Sequence, residues 1–314
     1  MKRKIIFLLI FGFTSVFAQE QTTKLNTDIF GSITSRHIGP ATMSGRISAI
    51  DAVNDNWYNV YVGAAGGGLW KSTNDGTTFK PVFDKYTQSI GSITIDQKHP
   101  DTVWVGTGET WVRNSVSIGN GIYKTTDGGS NWKLMGLEKT ERIAKIIIDP
   151  NNPDVVYAAA TGPLFSESDE RGVYKSTDGG VTWNKILYID QNTGCSSIDI
   201  DYSNPNILYA GMWEFRRKAY TFNSGGKGSG LYRSSDAGNT WQKIAENLPE
   251  GDLGRICVTV SPVDPSVVFA LIEAKQSGLF KSTDKGESWE KVNDTPTMGE
   301  RPFYFSLIIP DPVE

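Results

Sequence analysis

Cysteine and histidine are scarce in this 314-residue sequence, with two residues of each type. Two cysteines exclude a framework of several disulfides and a cysteine-rich zinc module. The two histidines, His37 and His99, argue against a histidine-rich metal site. The charge is nearly balanced, since 31 basic and 35 acidic residues give a formal net charge of −4. This balance argues against a dedicated nucleic-acid binder, and we expect no metal, no cofactor and no nucleic-acid partner.

Long apolar runs are also scarce, because the 38% of hydrophobic residues are spread along the chain. This excludes a protein with several membrane spans. The apolar run at residues 5–13 follows three basic residues and precedes small residues up to Ala18, an order typical of a secretory signal peptide. A buried N-terminal helix is the alternative. We predict a signal peptide at 1–18, a lead-in at 19–35 and an exported protein, whether periplasmic, cell-surface or extracellular, with no integral membrane segment after cleavage.

Glycine, proline and aromatic residues are abundant instead, with 33 Gly, 14 Pro, 9 Trp, 12 Tyr and 14 Phe. This composition favours many turns joined by short strands. One eight-residue pattern recurs five times, at residues 72–79, 125–132, 176–183, 234–241 and 282–289. The copies start about 50 residues apart, a period that suits a four-stranded blade and is too long for most helical repeats. We number the repeats units one to five.

The recurring pattern has a structural interpretation. Its Asp can accept hydrogen bonds from its own turn, its Gly can supply a positive φ, and its closing Trp can pack between neighbouring sheets. The alternative, in which the Asp residues bind metal, is weaker because single, well-separated carboxylates do not form a cation cage. The residues assigned to this structural role are Asn74, Phe79, Asp127, Trp132, Asp178, Trp183, Asp236, Trp241, Asp284 and Trp289.

Upstream of each pattern the sequence gives an apolar strand, a turn rich in Pro, Asn and Asp, and a second strand. Four antiparallel strands per unit, repeated radially, predict an all-β fold, the β-propeller. Residues 303–309 are predicted to be the innermost strand of a partial sixth unit, and 29–38 a possible closing strand. We therefore expect the propeller at 36–314 to be incomplete at its C-terminus and to be a fragment of a larger ring, for example one of seven blades. Cys195 and Cys257 begin neighbouring innermost strands, where free buried thiols are favoured over the disulfide that export permits.

The five patterns resemble the Asp-box (BNR) repeat, S-x-D-x-G-x-T-W. From about residue 36 onward the chain is similar to exported bacterial proteins grouped with the sortilin N-terminal propeller and with xyloglucanase-type glycosidases. Supporting phrases lie at residues 37–40, 45–47, 106–109, 113–116 and 119–121. The resemblance implies a propeller that usually continues into further blades. It implies little about function, because the boxes belong to the fold.

Loop lengths indicate which end of the blades could bind a ligand. Units two, three and four have long loops between their second and third strands, at 107–120, 161–171 and 212–229, whereas units one and five have short ones. Strand order puts these loops at one end and the boxes, with the first turns, at the other. We call these ends the long-loop face and the box face. Long loops on neighbouring blades favour a binding surface.

The ligand-binding candidates on the long-loop face combine aromatic rings with cations. They are Arg46, Trp111, Arg113, Arg142, Trp213, Arg216 and Arg255. Arg46, Arg142 and Arg255 each precede an Ile near the start of an innermost strand and could bind a carboxylate or phosphate together. Sialidases, which share the Asp-box, use such a triad, but other sialidase signatures are missing here. The alternatives are local pairing of the arginines, with Glu141 or Asp252 for instance, and simple packing of the two tryptophans.

Catalysis has weaker support in the sequence. A glycosidase needs two carboxylates flanking the scissile bond, and the weak candidates are Glu109, Asp169 and Glu214. The resemblance to xyloglucanases implies a catalytic Asp before the third strand of the first blade, where this chain has Ala65. We therefore expect a non-catalytic module that binds a polypeptide or glycan. The alternatives are a xyloglucanase-type hydrolase acting on a β-glucan and an envelope assembly factor.

Overall fold

Each sequence unit folds into one antiparallel sheet, because its apolar segments are separated by turns rich in Gly, Pro, Asn and Asp. The computed structural model describes residues 45–113, 116–295 and 300–313. The predicted signal peptide, lead-in and closing strand all lie outside these residues. Among the residues described, no helix is long and apolar enough to cross a membrane.

Within each sheet neighbouring strands are hydrogen-bonded and follow chain order, except that in the fourth unit an additional short strand pairs only with the strand before it. Unit one contains β1 (Ile47–Ala52), β2 (Val60–Ala64), β3 (Gly68–Ser72) and β4 (Lys80–Pro81). Unit two contains β5 (Ile90–Ile95), β6 (Val103–Thr107), β7 (Ile122–Thr125) and β8 (Lys133–Leu134). Unit three contains β9 (Ile143–Ile148), β10 (Val156–Ala160), β11 (Gly172–Ser176) and β12 (Asn184–Leu187). Unit four contains β13 (Thr193–Ile200), β14 (Leu208–Arg217), β15 (Phe222–Ser224), β16 (Gly230–Ser234) and β17 (Gln242–Ile244). Unit five contains β18 (Ile256–Val260), β19 (Val268–Ile272), β20 (Gly278–Ser282) and β21 (Glu290–Asn293).

The first strands of successive units pack against one another: β1 on β5, β5 on β9, β9 on β13, and β13 on β18. These first strands are not paired with one another by backbone hydrogen bonds, and side-chain hydrogen bonds join them instead. The carboxylate of Asp51 accepts a hydrogen bond from the Ile95 amide at 2.8 Å, and that of Asp199 accepts one from the Val260 amide at 2.9 Å. The fourth strands are mostly exposed. The predicted all-β architecture of four-stranded antiparallel blades is confirmed.

The Asp-box is a turn held by its own polar side chains. In unit three, Asp178 Oδ1 accepts hydrogen bonds from Ser176 Oγ at 2.8 Å and from the Thr182 amide at 2.9 Å. The next two residues, Gly179 and Gly180, have φ of 70° and 92°, a region that glycine enters without steric cost. Thr182 Oγ1 also donates to Asp178 Oδ2 at 2.6 Å, and this bond together with the other two lowers the pKa of Asp178 to about 2. Hydrogen bonds within their own boxes likewise lower the pKa of Asp127, Asp236 and Asp284 to about 2.

The boxes lie at the same end of the blades as the first turns. The amide that follows the box Asp donates to a carbonyl of the first turn of its own unit, as Gly179 does to Asp154 at 2.9 Å. Ser176, at the start of the box, pairs with Val156, whereas Gly172, at the other end of its strand, pairs with Ala160. The long loop therefore leaves from the end opposite the box. The two faces are separated as the strand order predicted.

In units two and three the closing indole of the box joins neighbouring blades. Trp132 Nε1 donates to the carbonyl of Val82 at 2.8 Å, and Trp183 Nε1 donates to the carbonyl of Met135 at 2.7 Å. Both carbonyls belong to the preceding unit. The lysine three residues before a box Asp or Asn has a matching role that sequence analysis missed, because Lys71 Nζ donates to the Gly128 carbonyl of the next box at 2.9 Å.

Two expectations about local structure are wrong. Residues 303–309 are not a strand: Pro302–Phe305 forms one helical turn, α1, and 306–313 contains no strand. An innermost strand needs a hydrogen-bonding partner, and none of the described strands pairs with this segment. The 212–229 segment is only partly a loop, since β14 extends to Arg217 and pairs with β15. A third expectation agrees with the structure, because Cys195 and Cys257 are free and buried.

The boxes predict a specific loss of stability in acid. A carboxylate whose folded pKa is about 2, against about 3.9 unfolded, stabilises the fold above pH 4 and stops doing so as the pH falls towards 2. Asn74 forms the same turn without a titrating group. We therefore expect Asp178→Asn to fold and to show a shallower decrease in melting temperature between pH 4 and pH 2. An unchanged slope in thermal unfolding followed by circular dichroism would contradict this assignment. Asp51, whose pKa burial raises to about 6, titrates above this range.

Candidate functional site

The three long loops share a small apolar core of their own. Val112 from unit two, Leu164 from unit three, and Trp213 and Phe215 from unit four are all buried in one cluster. The rings of Trp213 and Phe215 are stacked with centroids 4.3 Å apart. Phe303 of α1 packs against the same cluster. The loops of three neighbouring blades therefore form one connected structure at the long-loop face, and we call it the loop cap.

Arg171 holds the loop of unit three in shape. Its guanidinium is fully buried and donates to the carbonyls of Thr161 at 2.6 Å, Ser166 at 3.1 Å, and Pro163. It also lies 4.8 Å from the centre of the Phe215 ring. Burial lowers the pKa of Arg171 to about 10. Sequence analysis did not select this residue, and its only signal was an arginine directly before the glycine that opens a third strand.

Arg216 connects the loops of units three and four. Its guanidinium donates to the carbonyl of Phe165 at 3.3 Å and to the side chain of Asn192, and it lies 3.8 Å from the carboxylate of Glu167. The backbone of Arg217 adds a bond to the carbonyl of Leu164 at 3.0 Å. Arg216 therefore lies on the predicted face, where its bonds hold the two loops together.

Glu109 is buried between two of the predicted arginines. Its Oε1 is paired with the guanidinium of Arg46 from unit one and lies 3.5 Å from Arg113 Nε. The carboxylate of Glu109 is thus held in place by Arg46 and Arg113. This placement supports a role in joining units one and two more than a role as a proton donor.

The other two members of the predicted arginine triad have separate protein partners. Arg142 is buried and its guanidinium bonds to the carboxylate of Glu141 at 2.7 Å, which is the local pairing kept as the alternative. Arg255 donates to the carbonyl of Phe303 at 2.8 Å and lies 5.5 Å from the centre of the Trp213 ring. It has no bond to Asp252. Since Arg46 is paired with Glu109, all three guanidiniums are already engaged.

The two predicted tryptophans differ in accessibility. Trp213 is fully buried and its Nε1 donates to Ser224 Oγ at 3.1 Å, so the structure gives it the packing role and corrects the expectation of ligand contact. Trp111 is half-buried, with its ring centre 5.8 Å from that of Tyr304. Tyr304 also lies 5.8 Å from the guanidinium of Arg46. Helix α1 therefore lies against three candidates, Arg46, Trp111 and Arg255.

Two aromatic rings of the long loops are exposed. Phe165, in the loop of unit three, is 57% exposed, and Tyr220, in the turn between β14 and β15, is 85% exposed. They belong to loops that are joined by the Leu164–Arg217 and Phe165–Arg216 hydrogen bonds. Neither residue is among the binding candidates selected from the sequence. The sequence feature that could have identified them is an aromatic residue among polar neighbours in a long loop.

The chain is similar in sequence to known proteins. A family model described as "Sortilin, neurotensin receptor 3" matches residues 67–209. A xyloglucanase of Hypocrea jecorina is 25% identical over 230 residues, which cover 65% of this chain and 26% of the relative. A xyloglucanase of a Paenibacillus species is 23% identical over 261 residues, which cover 72% and 22%. The resemblance to sortilin-type and xyloglucanase-type propellers is confirmed.

Solved structures agree on the fold of this xyloglucanase-like propeller. The GH74 enzyme of Niastella koreensis aligns with a TM-score of 0.57 and 22% identity, covering 77% of this chain and 38% of the enzyme. An ancestral GH74 enzyme aligns with a TM-score of 0.61 and 22% identity, covering 80% and 33%. The chain spans about a quarter of the length of the curated relatives it matches.

The weak catalytic candidates of this xyloglucanase-like chain all have local partners. Asp169 accepts hydrogen bonds from Tyr188 at 2.7 Å and from Gln191 at 3.2 Å, which lower its pKa. Glu214 accepts one from the Gly228 amide at 2.9 Å and so orders the loop of unit four. Glu109 is held between arginines. Ala65, at the position where the resemblance implies a catalytic Asp, is buried and has no side chain able to transfer a proton.

Proposed function

We propose that this chain is the glycan-binding part of a xyloglucanase-type glycoside hydrolase and that its long-loop face holds a β-glucan chain. The observation that carries the proposal is the loop cap, in which loops of three neighbouring blades form one structure with Phe165 and Tyr220 exposed on it. The names of the relatives supply the ligand class. Export, as the signal peptide at 1–18 predicts, would place the chain where polysaccharides occur.

The chemistry of this face suits a sugar polymer. A pyranose ring has apolar C–H faces that can lie on an exposed aromatic ring, while its hydroxyl groups need hydrogen-bonding partners at the edge. Phe165 and Tyr220 supply such rings, and the exposed carboxylate of Glu167, two residues after Phe165, supplies an acceptor in the same loop. A ligand bound in this way is held at several points along an extended surface.

The relatives favour a hydrolase over the purely non-catalytic module expected from the sequence, and a glycan over a polypeptide. The geometry of this chain limits how hydrolysis could occur, because glycosidases use two carboxylates about 5 to 9 Å apart across the scissile bond. Glu109, Asp169 and Glu214 are each engaged with local partners, and Ala65 replaces the expected Asp. Binding is therefore the activity that we assign to this chain, and hydrolysis to a longer xyloglucanase-like protein.

Removing an exposed ring from the cap is expected to weaken glycan binding. Phe165→Ala and Tyr220→Ala should each raise the Kd for a xyloglucan oligosaccharide about tenfold, which corresponds to about 1.4 kcal/mol, because each removes a stacking surface. Trp57→Ala is the matched control, since Trp57 is 71% exposed in the first turn of unit one on the box face. Isothermal titration calorimetry gives the affinities, and circular dichroism checks that the variants fold.

Two outcomes would overturn the assignment. One is an oligosaccharide affinity that Phe165→Ala and Tyr220→Ala leave unchanged or that Trp57→Ala reduces equally. The other is release of reducing ends from xyloglucan by this chain, lost in Glu109→Gln or Glu214→Gln. That result would show that the chain itself is catalytic.

A further inference from the structure

A cavity of about 240 Å³ lies between the first strands of the five units, and we call it the central cavity. The first strand of every unit contributes to its wall, together with residues 306–310. Hydroxyl groups are common in this wall, and Lys145 and Arg255 also line it. None of the described residues that line the cavity is an Asp or a Glu. Cations and hydroxyl donors are the groups that bind an oxyanion.

Lys145 is a long cation at a position where other units have small residues. Ala49, Ser92 and Ser197 occupy the same place on the first strands of units one, two and four. Packing of the blades therefore does not require a lysine there. Lys145 Nζ lies 3.3 Å from Asp199 Oδ1, and Asp199 does not line the cavity. This contact uses one of the three donors of the ammonium group.

Arg255 is the member of the predicted arginine triad that no described carboxylate pairs with. The guanidiniums of Arg46 and Arg142 each form an ion pair with a glutamate. The bond of Arg255 to the Phe303 carbonyl uses Nη1, whereas its buried Nε has no hydrogen-bonding partner among the described residues. Other arginines also leave Nε unpaired, but Arg255 is the arginine that lines this cavity. It therefore brings a buried charge and an unused donor to the same wall as Lys145.

Ser306 supplies a further donor on the opposite part of the chain. It lines the central cavity and is only 5% exposed, and its Oγ has no hydrogen-bonding partner among the described residues. Buried polar groups in proteins are normally hydrogen-bonded. Two buried donors without partners, in the wall of one cavity that also contains a lysine, point to a ligand that accepts hydrogen bonds.

We propose that the central cavity binds a small oxyanion, which accepts hydrogen bonds from Arg255 Nε and Ser306 Oγ and lies beside the ammonium group of Lys145. An oxyanion carries several acceptor oxygens, so a single ion can bind both unpaired donors and both cations. The cavity is several times larger than the roughly 30 Å³ that one water molecule takes up. Inorganic phosphate and the carboxylate of an acidic sugar share the required chemistry. This inference does not depend on glycan binding by the loop cap.

Titration with three small molecules tests the site and separates the two sources of the anion. Isothermal titration calorimetry of the unmodified chain, in a chloride buffer at constant ionic strength, should show binding of inorganic phosphate, of glucuronate or of both. Glucose, the uncharged match of glucuronate, should not bind. Binding of phosphate alone would identify an inorganic ion as the ligand, whereas binding of glucuronate would extend the ligand class to acidic sugars.

Two substitutions in the wall should each raise the Kd of the bound anion about tenfold. Ser306→Ala removes a donor, and Lys145→Met removes a charge beside the anion. Ser306→Ala breaks no hydrogen bond between described side chains, and Lys145→Met leaves Asp199 its other hydrogen bonds, so both variants should fold. Lys133→Met, an equal charge change on the exposed strand β8, is the control and should leave the Kd unchanged.

The inference fails if neither anion binds, or if glucose binds as tightly as glucuronate. It also fails if Ser306→Ala and Lys145→Met leave the Kd unchanged, or if Lys133→Met raises it equally, because the anion would then be held by surface charge. An unchanged melting temperature in circular dichroism confirms that a loss of affinity is not a loss of folding.

Discussion

Trp213→Ala is expected to lower the free energy of unfolding by about 3–5 kcal/mol, the usual cost of removing a large buried aromatic side chain. The side chain is fully buried, stacked on Phe215 with ring centres 4.3 Å apart, and hydrogen-bonded to Ser224. The guanidinium of Arg255 lies 5.5 Å from the centre of the Trp213 ring. Alanine would leave a cavity bounded by groups from more than one loop, which cannot all move in to fill it. Equilibrium unfolding in urea measures the change.

The same variant should lose affinity for xyloglucan oligosaccharides, because the loop cap that presents Phe165 and Tyr220 depends on this core. Trp111→Ala is the matched control: Trp111 is half-buried at the edge of the cap, and we expect a cost below about 1.5 kcal/mol. Equal costs for the two tryptophans, or a cost below about 1 kcal/mol for Trp213→Ala, would show that Trp213 does not organise the cap.

The regular part of the fold could be predicted from sequence because its determinants are local and repeated. Asp178 bonds to residues two and four positions away, so the box is visible as a short pattern. Five copies at a similar period then predict the five sheets that the structure describes and the order of the strands in each. The separation of the box face from the long-loop face follows from that order alone, and the pairing of Ala160 with Gly172 agrees with it.

The site was harder to predict because its contacts join distant segments. Arg46 and Glu109 lie in different units, and nothing in either segment identifies the other as its partner. Arg46, Arg142 and Arg255 have similar sequence contexts but different environments. Arg46 pairs with a residue of the next unit, Arg142 with its neighbour in the chain, and Arg255 with the carbonyl of Phe303. Burial of Trp213 likewise depends on loops from three blades. Local sequence could place these residues at the correct end of the blades but could not choose between packing and binding.

Residues 303–309 show a different limit of the sequence pattern. Their apolar composition does not lead to burial, since Leu307 and Ile309 are 56% and 75% exposed while the polar Ser306 is buried. Composition does not specify a hydrogen-bonding partner, however, and strand formation requires one. Phe303 instead packs into the loop cap and gives its carbonyl to Arg255. The segment is therefore attached through Phe303 and leaves Leu307 and Ile309 exposed, without forming a strand.

Arg171→Met is the second substitution with a large expected effect, about 3 kcal/mol or more of unfolding free energy. Methionine can fill much of the volume but cannot donate, so the buried carbonyls of Thr161 and Pro163 and the part-buried carbonyl of Ser166 would lose a shared donor. Each buried acceptor left without a partner costs about 1–3 kcal/mol. Relief from burying a charge offsets part of this. Urea unfolding gives the total, and hydrogen exchange should show faster opening within residues 161–171.

Arg113→Met separates this effect from the general loss of a cation on the same face. The Arg113 side chain is 44% exposed and its contact with Glu109 is long, at 3.5 Å, so its replacement should cost less than about 1 kcal/mol. Arg171→Lys provides a further comparison, because a lysine keeps the charge but presents its donors from one point and cannot span three carbonyls. If Arg171→Lys were as stable as the unmodified chain, charge alone would account for the role of Arg171. If the fork geometry is what holds the loop, Arg171→Lys should be destabilised nearly as much as Arg171→Met.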